Sequence, residues 1–193
     1  TPWEVSPTME ELKSKAKALG LWNLFFPDMV HGAGLTNVDY AHIAEETGRS
    51  GLAPEAFNCS APDTGNMEVL IHYGSDAQKE RWLKPLLAGE IRSCFAMTEP
   101  EHAGSNPVWM STRARRDGDH YVLNGTKTYI TNGCEGYCFQ VYAKVDGRIT
   151  SFVVDRSSAG LSSSQHIPKM GMRASSMSEL IFEDCRIPAG ANI

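Results

Sequence analysis

Two hydrophobic periods divide the chain. From Thr1 to about Arg92 apolar residues recur three and four positions apart, the spacing of amphipathic helices. From Ser93 onward they fall in short alternating runs broken by Gly turns, the spacing of strands. In the helical half, Thr8 and Glu11 have the T-x-x-E spacing of a capping box. Leu12, Ala16 and Leu19 follow on one face, with Glu10, Lys13, Lys15 and Lys17 elsewhere, and Gly20 is placed to end that helix. A second helix is predicted from Asn37 to about Gly48, and a third apolar stretch covers Thr64 to Tyr73. Ser75 and Gln78 form another box ahead of Trp82, Leu83, Leu86 and Leu87. Pro85 should break or kink that last helix, because it lacks an N–H, and Gly89 stops it.

In the second half, Ser111 to Arg116 runs into Asp117-Gly118, and Tyr121 to Leu123 into Asn124-Gly125. Thr126 to Thr131 runs into Asn132-Gly133, and Phe139 to Val145 into Asp146-Gly147, followed by Ile149 to Val154. Asn-Gly and Asp-Gly suit tight hairpins whose centre residues need positive φ. Later strands are expected over Leu161 to Ile167 and Glu179 to Ile187. The pattern predicts an α+β chain: a helical domain over residues 1–92, then an antiparallel sheet or β-barrel-like domain over 93–193. Arg186 to Ile193 reads as a strand leaving its sheet for a further element, so the chain is expected to stop in mid-connection.

Composition adds exclusions. Among 193 residues, 41% are apolar and 21% charged, as in ordinary globular domains. A net charge of -5 argues against a nucleic-acid or anionic-membrane surface, though not against a local basic pocket. No apolar run is long enough for a membrane-spanning helix. The five cysteines (59, 94, 134, 138 and 185) are odd in number and show no C-x-x-C spacing, which disfavours a disulfide framework or zinc knuckle. Free thiols point to a reducing compartment. No secretory leader is seen, but the start at Thr1 leaves localisation open between bacterial cytoplasm, mitochondrial matrix and peroxisome.

Two segments carry candidate chemistry. Ser93 to Asn106 is a short strand running into a turn rich in small and hydroxylated residues. Backbone N–H groups there could approach a flavin edge or a phosphate, and such turns also occur with no ligand at all. Asn124 to Gly133 places Tyr129 and Thr131 two apart, hence on one face of a strand, where an aromatic and a hydroxyl could hold a planar ring. A solvent-facing strand of good β-formers gives the same pattern.

Together these residues resemble a known family. Met97-Thr98-Glu99-Pro100 with Gly104-Ser105, then Tyr121-x-Leu123-Asn124-Gly125-x-Lys127 and Ile130-Thr131-Asn132-Gly133, are similar to two signature blocks of acyl-CoA dehydrogenases. Trp82 to Gly89, Lys169 to Ser175 and Phe182 to Pro188 resemble three further blocks in family order. The resemblance implies a helical first domain, a β middle domain and a C-terminal helical bundle, with FAD between the last two. It implies removal of a proton α to a thioester with transfer of the β-hydride to flavin N5. By match, Phe95, Ala96, Met97, Thr98, Gly104 and Ser105 would line the flavin, and Ser105 would also lie near the thioester of the acyl-CoA substrate. Tyr129 matches the aromatic on the flavin face, where Trp is commoner; Ile130 flanks it, and Thr131 matches the hydroxyl near N5.

The turn after Pro100 is one residue longer than the family's usual Gly-Ala-Gly-Ser-Asp, and His102 within it reads as a solvated loop histidine. The family's catalytic Glu belongs to the C-terminal bundle and is expected beyond Ile193, so no general base is assigned; Glu99 reads as structural. This chain alone is expected to have little dehydrogenase activity, and the β face that a bundle would cover is expected to be apolar and to favour self-association. Implied partners are electron-transfer flavoprotein as acceptor and further copies in a homotetramer. An acyl-CoA oxidase or flavin monooxygenase of the same fold, and a non-catalytic assembly remnant, stay open as alternatives.

Overall fold

The computed structural model describes residues 6–102 and 106–193. Its first half is helical: α1 (Pro7–Ala18), α2 (Asn37–Thr47), α3 (Ala53–Ala56), α4 (Asp63–Tyr73), α5 (Asp76–Gln78) and α6 (Lys84–Ala88). The predicted Thr8–Glu11 box does not form. Pro7, pre-set for the first helical position, moves the N-cap back to Ser6 and leaves Thr8 inside the helix. The buried face of α1 is Met9, Lys13 and Ala16, one position round from the predicted one, and Leu19 stays in solvent. Lys13 is tolerated there because it pairs with Glu10 (2.8 Å) and Glu55 (3.7 Å). The Ser75–Gln78 box does form. Pro85 does not break the helix that follows: a π-helical stretch, Lys79–Leu83, widens it just before the proline, and Gly89 ends it at φ +69°.

The second half is a curled half-barrel of seven strands among the described residues. They are β1 (Ser93–Ala96), β2 (Arg113–Asp117), β3 (His120–Thr131), β4 (Cys138–Val145), β5 (Arg148–Asp155), β6 (Leu161–Ser163) and β7 (Met177–Pro188). Neighbours run β1-β4-β2-β3-β7-β6, with β5 on β4. Pairing is antiparallel except that β4 runs parallel to β1 and meets β2 in parallel at Arg113 and Lys144. Asp146-Gly147 makes the expected hairpin, with φ of 48° and 79°. At Asp117-Gly118 the loop is Gly118-Asp119, and only the glycine takes positive φ.

Asn124-Gly125 departs furthest from expectation. It is no turn: β3 runs straight through it, and the register against β7 slips between Leu123 and Gly125. Asn124 exchanges hydrogen bonds with Asp184 on β7, and Gly125 leaves space for Thr112, whose Oγ1 would lie 2.6 Å from a Cβ. Asn132-Gly133 does turn, but into a loop that crosses to β4, which does not pair with β3.

One apolar core fills the half-barrel around Leu123, Phe139, Phe152, Leu180 and Phe182. A second joins helices to sheet, packing Phe26, Met67, Leu70 and Leu86 against Cys138 and Val153. A polar clamp reinforces this join. Asp63, at the start of α4, accepts from Arg92 Nε (2.5 Å), the Ser93 N–H (2.6 Å) and Ser93 Oγ (2.6 Å). Asn66, one turn on, donates to Ser93 Oγ and to the Cys94 carbonyl, both at 2.9 Å. Helix α4 is thereby fixed beside β1.

Candidate functional site

The site is built by a bulge in β3. Its register against β7 slips again between Lys127 and Ile130, and Tyr129 takes φ +58°, a left-handed conformation costly for an aromatic residue. Simple alternation would put Lys127, Tyr129 and Thr131 on one face. The bulge inverts that order after Lys127, so Lys127 points into the core while Tyr129 stands in solvent, 63% exposed. The Thr128 N–H donates to the Thr98 carbonyl (2.9 Å), which ties the bulge to the segment leaving β1.

Lys127 is fully buried and donates to the Met97 carbonyl (3.0 Å) and to Glu99 Oε1 (2.9 Å). Glu99 also accepts from the Ser111 N–H (2.5 Å), the Thr112 N–H (2.8 Å) and the Thr112 hydroxyl. Burial pushes the Glu99 carboxyl up, but the Thr112 hydroxyl, the Ser111 N–H and the Lys127 ammonium together hold it below its ordinary range. For Lys127, burial outweighs its attraction to Glu99 and moves the ammonium below the usual lysine range. The pair binds together the ends of β1, β2 and β3. His102 lies at its edge, with Nε2 2.7 Å from Ser111 Oγ and 4.0 Å from Glu99 Oε2.

On the outer side of this frame lies a cavity of about 650 Å³ between α4 and the sheet. Thr64, Gly65, Glu68 and Val69 of α4 form one wall. Phe95, Thr98, Tyr129, Ile130 and Thr131 form the other, with Gln140 beside Phe95 on the neighbouring β4. Gln140 is fixed by donation to Tyr142 Oη (2.9 Å), and the Tyr142 ring packs on Phe95 with centroids 5.1 Å apart. The loop after Thr131 is held by Arg156, which donates to the carbonyls of Gly133, Cys134 and Gly136.

Five residues singled out in the sequence, namely Phe95, Thr98, Tyr129, Ile130 and Thr131, therefore meet on one wall. Ala96 instead lies wholly in the core, and Met97 is half-buried with its carbonyl turned to Lys127. Gly104 and Ser105 lie outside the described residues. Sequence reading assigned no role to Lys127 or to the α4 residues. A lone lysine in a strand of β-formers was the available signal, since an inward lysine requires a buried anion. All five cysteines are unpaired, and no cluster of metal-ligating side chains occurs among the described residues. No described helix is long and apolar enough to cross a membrane.

Residues 2–90 match the family described as acyl-CoA dehydrogenase, N-terminal domain, and residues 94–185 match acyl-CoA dehydrogenase, middle domain. The chain belongs to the acyl-CoA dehydrogenase family. It is similar to mouse (Mus musculus) acyl-CoA dehydrogenase family member 10, 52% identical over 141 residues that make up 70% of this chain and 13% of that protein. It is also similar to a Mycobacterium abscessus structure assigned to the acyl-CoA dehydrogenases (TM-score 0.94, 42% identity, 99% of this chain and 49% of that one). A glutaryl-CoA dehydrogenase from Mycobacterium smegmatis, solved in complex with FADH2, superimposes with a TM-score of 0.78 at 37% identity over 94% of this chain and 46% of that one. The chain thus spans about half the length of these solved acyl-CoA dehydrogenases and a smaller share of the mouse relative.

Proposed function

We propose that this chain supplies the flavin-facing and thioester-facing wall of an FAD-dependent acyl-CoA dehydrogenase that desaturates an acyl-CoA between Cα and Cβ. The observation that carries this reading is the convergence of Phe95, Thr98, Tyr129, Ile130 and Thr131 on one cavity beside α4. The donor set fits a flavin: an exposed aromatic held in a strained conformation, two threonine hydroxyls, and a volume ample for a tricyclic ring. The FADH2 bound to the glutaryl-CoA dehydrogenase relative supports the choice of cofactor. When bound, FAD supplies a two-electron acceptor for the β-hydride.

In this reading Tyr129 packs on the ring face, Ile130 excludes water beside it, and Thr98 and Thr131 donate hydrogen bonds to the ring edge. Ala96 and Met97 shape the wall through their backbone. Gly104 and Ser105 complete the flavin contacts, with Ser105 also toward the thioester. Glu99 is no base, because four donor groups already engage its carboxylate. The proton-abstracting base is proposed to lie outside this chain. Acyl-CoA as substrate, electron-transfer flavoprotein as acceptor, and assembly into a homo-oligomer belong to the same reading. Purified together with the part of the enzyme that bears the base, the protein should carry flavin absorbance, and anaerobic acyl-CoA should bleach it. Bound flavin that no acyl-CoA bleaches would count against the dehydrogenase reading, and fast reoxidation by oxygen would move it to an oxidase.

A further inference from the structure

We propose that Glu68 sets the charge selectivity of the cavity, which admits an uncharged acyl chain and rejects one ending in a carboxylate. This rests on the reading of the cavity as the flavin and acyl site. Thr64 and Glu68 stand four residues apart on α4, hence one above the other on the face turned to the cavity. Glu68 is exposed and has no ion-pair partner among the described residues, where Glu99 and Asp63 are fully engaged. The described residues lining the cavity include no Lys, Arg or His.

A chain ending in carboxylate would bring a second negative charge to this wall and find no cation among its described lining residues. Phe95, Val69 and Ile130 are the apolar part of this wall and offer the second carboxylate no compensating charge. Repulsion of this kind is how a site rejects a ligand of the right size. The point separates this chain from the glutaryl-CoA dehydrogenase it resembles in fold, since the acyl group in that enzyme's name carries a terminal carboxylate. Shared fold does not carry substrate choice with it.

The test compares two CoA thioesters of nearly equal shape, 5-methylhexanoyl-CoA and glutaryl-CoA. Their binding to the purified, FAD-loaded protein is measured by titration calorimetry, which needs no turnover. The wild-type protein should bind the uncharged thioester more tightly, on the order of tenfold. Glu68→Gln should bring the ratio of the two dissociation constants toward one, and Glu68→Arg should invert it. Equal binding of both thioesters by the wild type, or a ratio that neither substitution moves, would overturn the role of Glu68 and leave the dehydrogenase reading intact. Binding of neither thioester to any variant would overturn both. Circular dichroism of each variant separates a change in the ratio from a failure to fold.

Discussion

Lys127 hydrogen-bonds the Glu99 carboxylate at 2.9 Å and the Met97 carbonyl at 3.0 Å, with both charged side chains shut away from water. The ion pair lies directly behind the bulge that presents Tyr129. It holds the backbone of residues 97–99 against β3, so the wall of the cavity and the core of the half-barrel depend on the same contact.

Removing one member of a buried pair leaves the other charge uncompensated. Lys127→Met should destabilise the fold by about 3–5 kcal/mol in urea unfolding. Adding Glu99→Gln should cost much less than the sum of the two single changes, because the neutral amide no longer demands a cation. Additive single costs would mean the two residues act independently.

Acid should act through Glu99. Its carboxyl lies below its ordinary value of 4.5, because the Thr112 hydroxyl, the Ser111 N–H and the Lys127 ammonium overcome the opposing effect of burial. Above that ordinary value both folded and unfolded chains are ionised there, and the stabilisation is complete. As pH falls from it through the lowered folded value, the unfolded chain takes up the proton first and the stabilisation drains away. Unfolding curves measured from neutral pH downward should show an acid limb that flattens in Glu99→Gln. An unchanged limb would assign it to other carboxylates.

Gly125 sits at φ +145°, and a Cβ there would fall 2.8 Å from Thr112 Cα and 2.9 Å from Thr112 Cβ. Gly125→Ala should destabilise the fold by about 1–3 kcal/mol, read as a shift in the urea midpoint at constant slope. Gly118→Ala is the comparison, since nothing lies within 4 Å of a Cβ there and only its φ of +62° is unfavourable.

These residues also show how far the sequence could be read. The helix ends at Gly20, Gly48 and Gly89 and the hairpin at Asp146-Gly147 were legible, because each is set by local backbone chemistry. Asn124-Gly125 was misread because the same dipeptide serves a turn or a bulge, and the choice is made by Asp184 and Thr112, which are distant in sequence. Lys13 was placed on the outer face because one of its partners, the half-buried Glu55, lies on another helix. For the candidate site, family-like blocks pointed to Phe95, Thr98 and Tyr129 to Thr131. The α4 wall, with Glu68, could not be found that way, since the Asp63 and Asn66 contacts that fix it to β1 reach across the chain.

The central claim is that the Tyr129 wall receives the flavin ring, and the most direct measurement is FAD affinity of the apoprotein, wild type against Tyr129→Asn, by fluorescence quenching. Asn tolerates the left-handed backbone that Tyr129 adopts, and the exposed ring gives up little burial, so unfolding stability should change by less than about 1 kcal/mol. Loss of the aromatic contact should weaken FAD binding by roughly tenfold. Undiminished FAD affinity in a well-folded Tyr129→Asn protein would contradict the account.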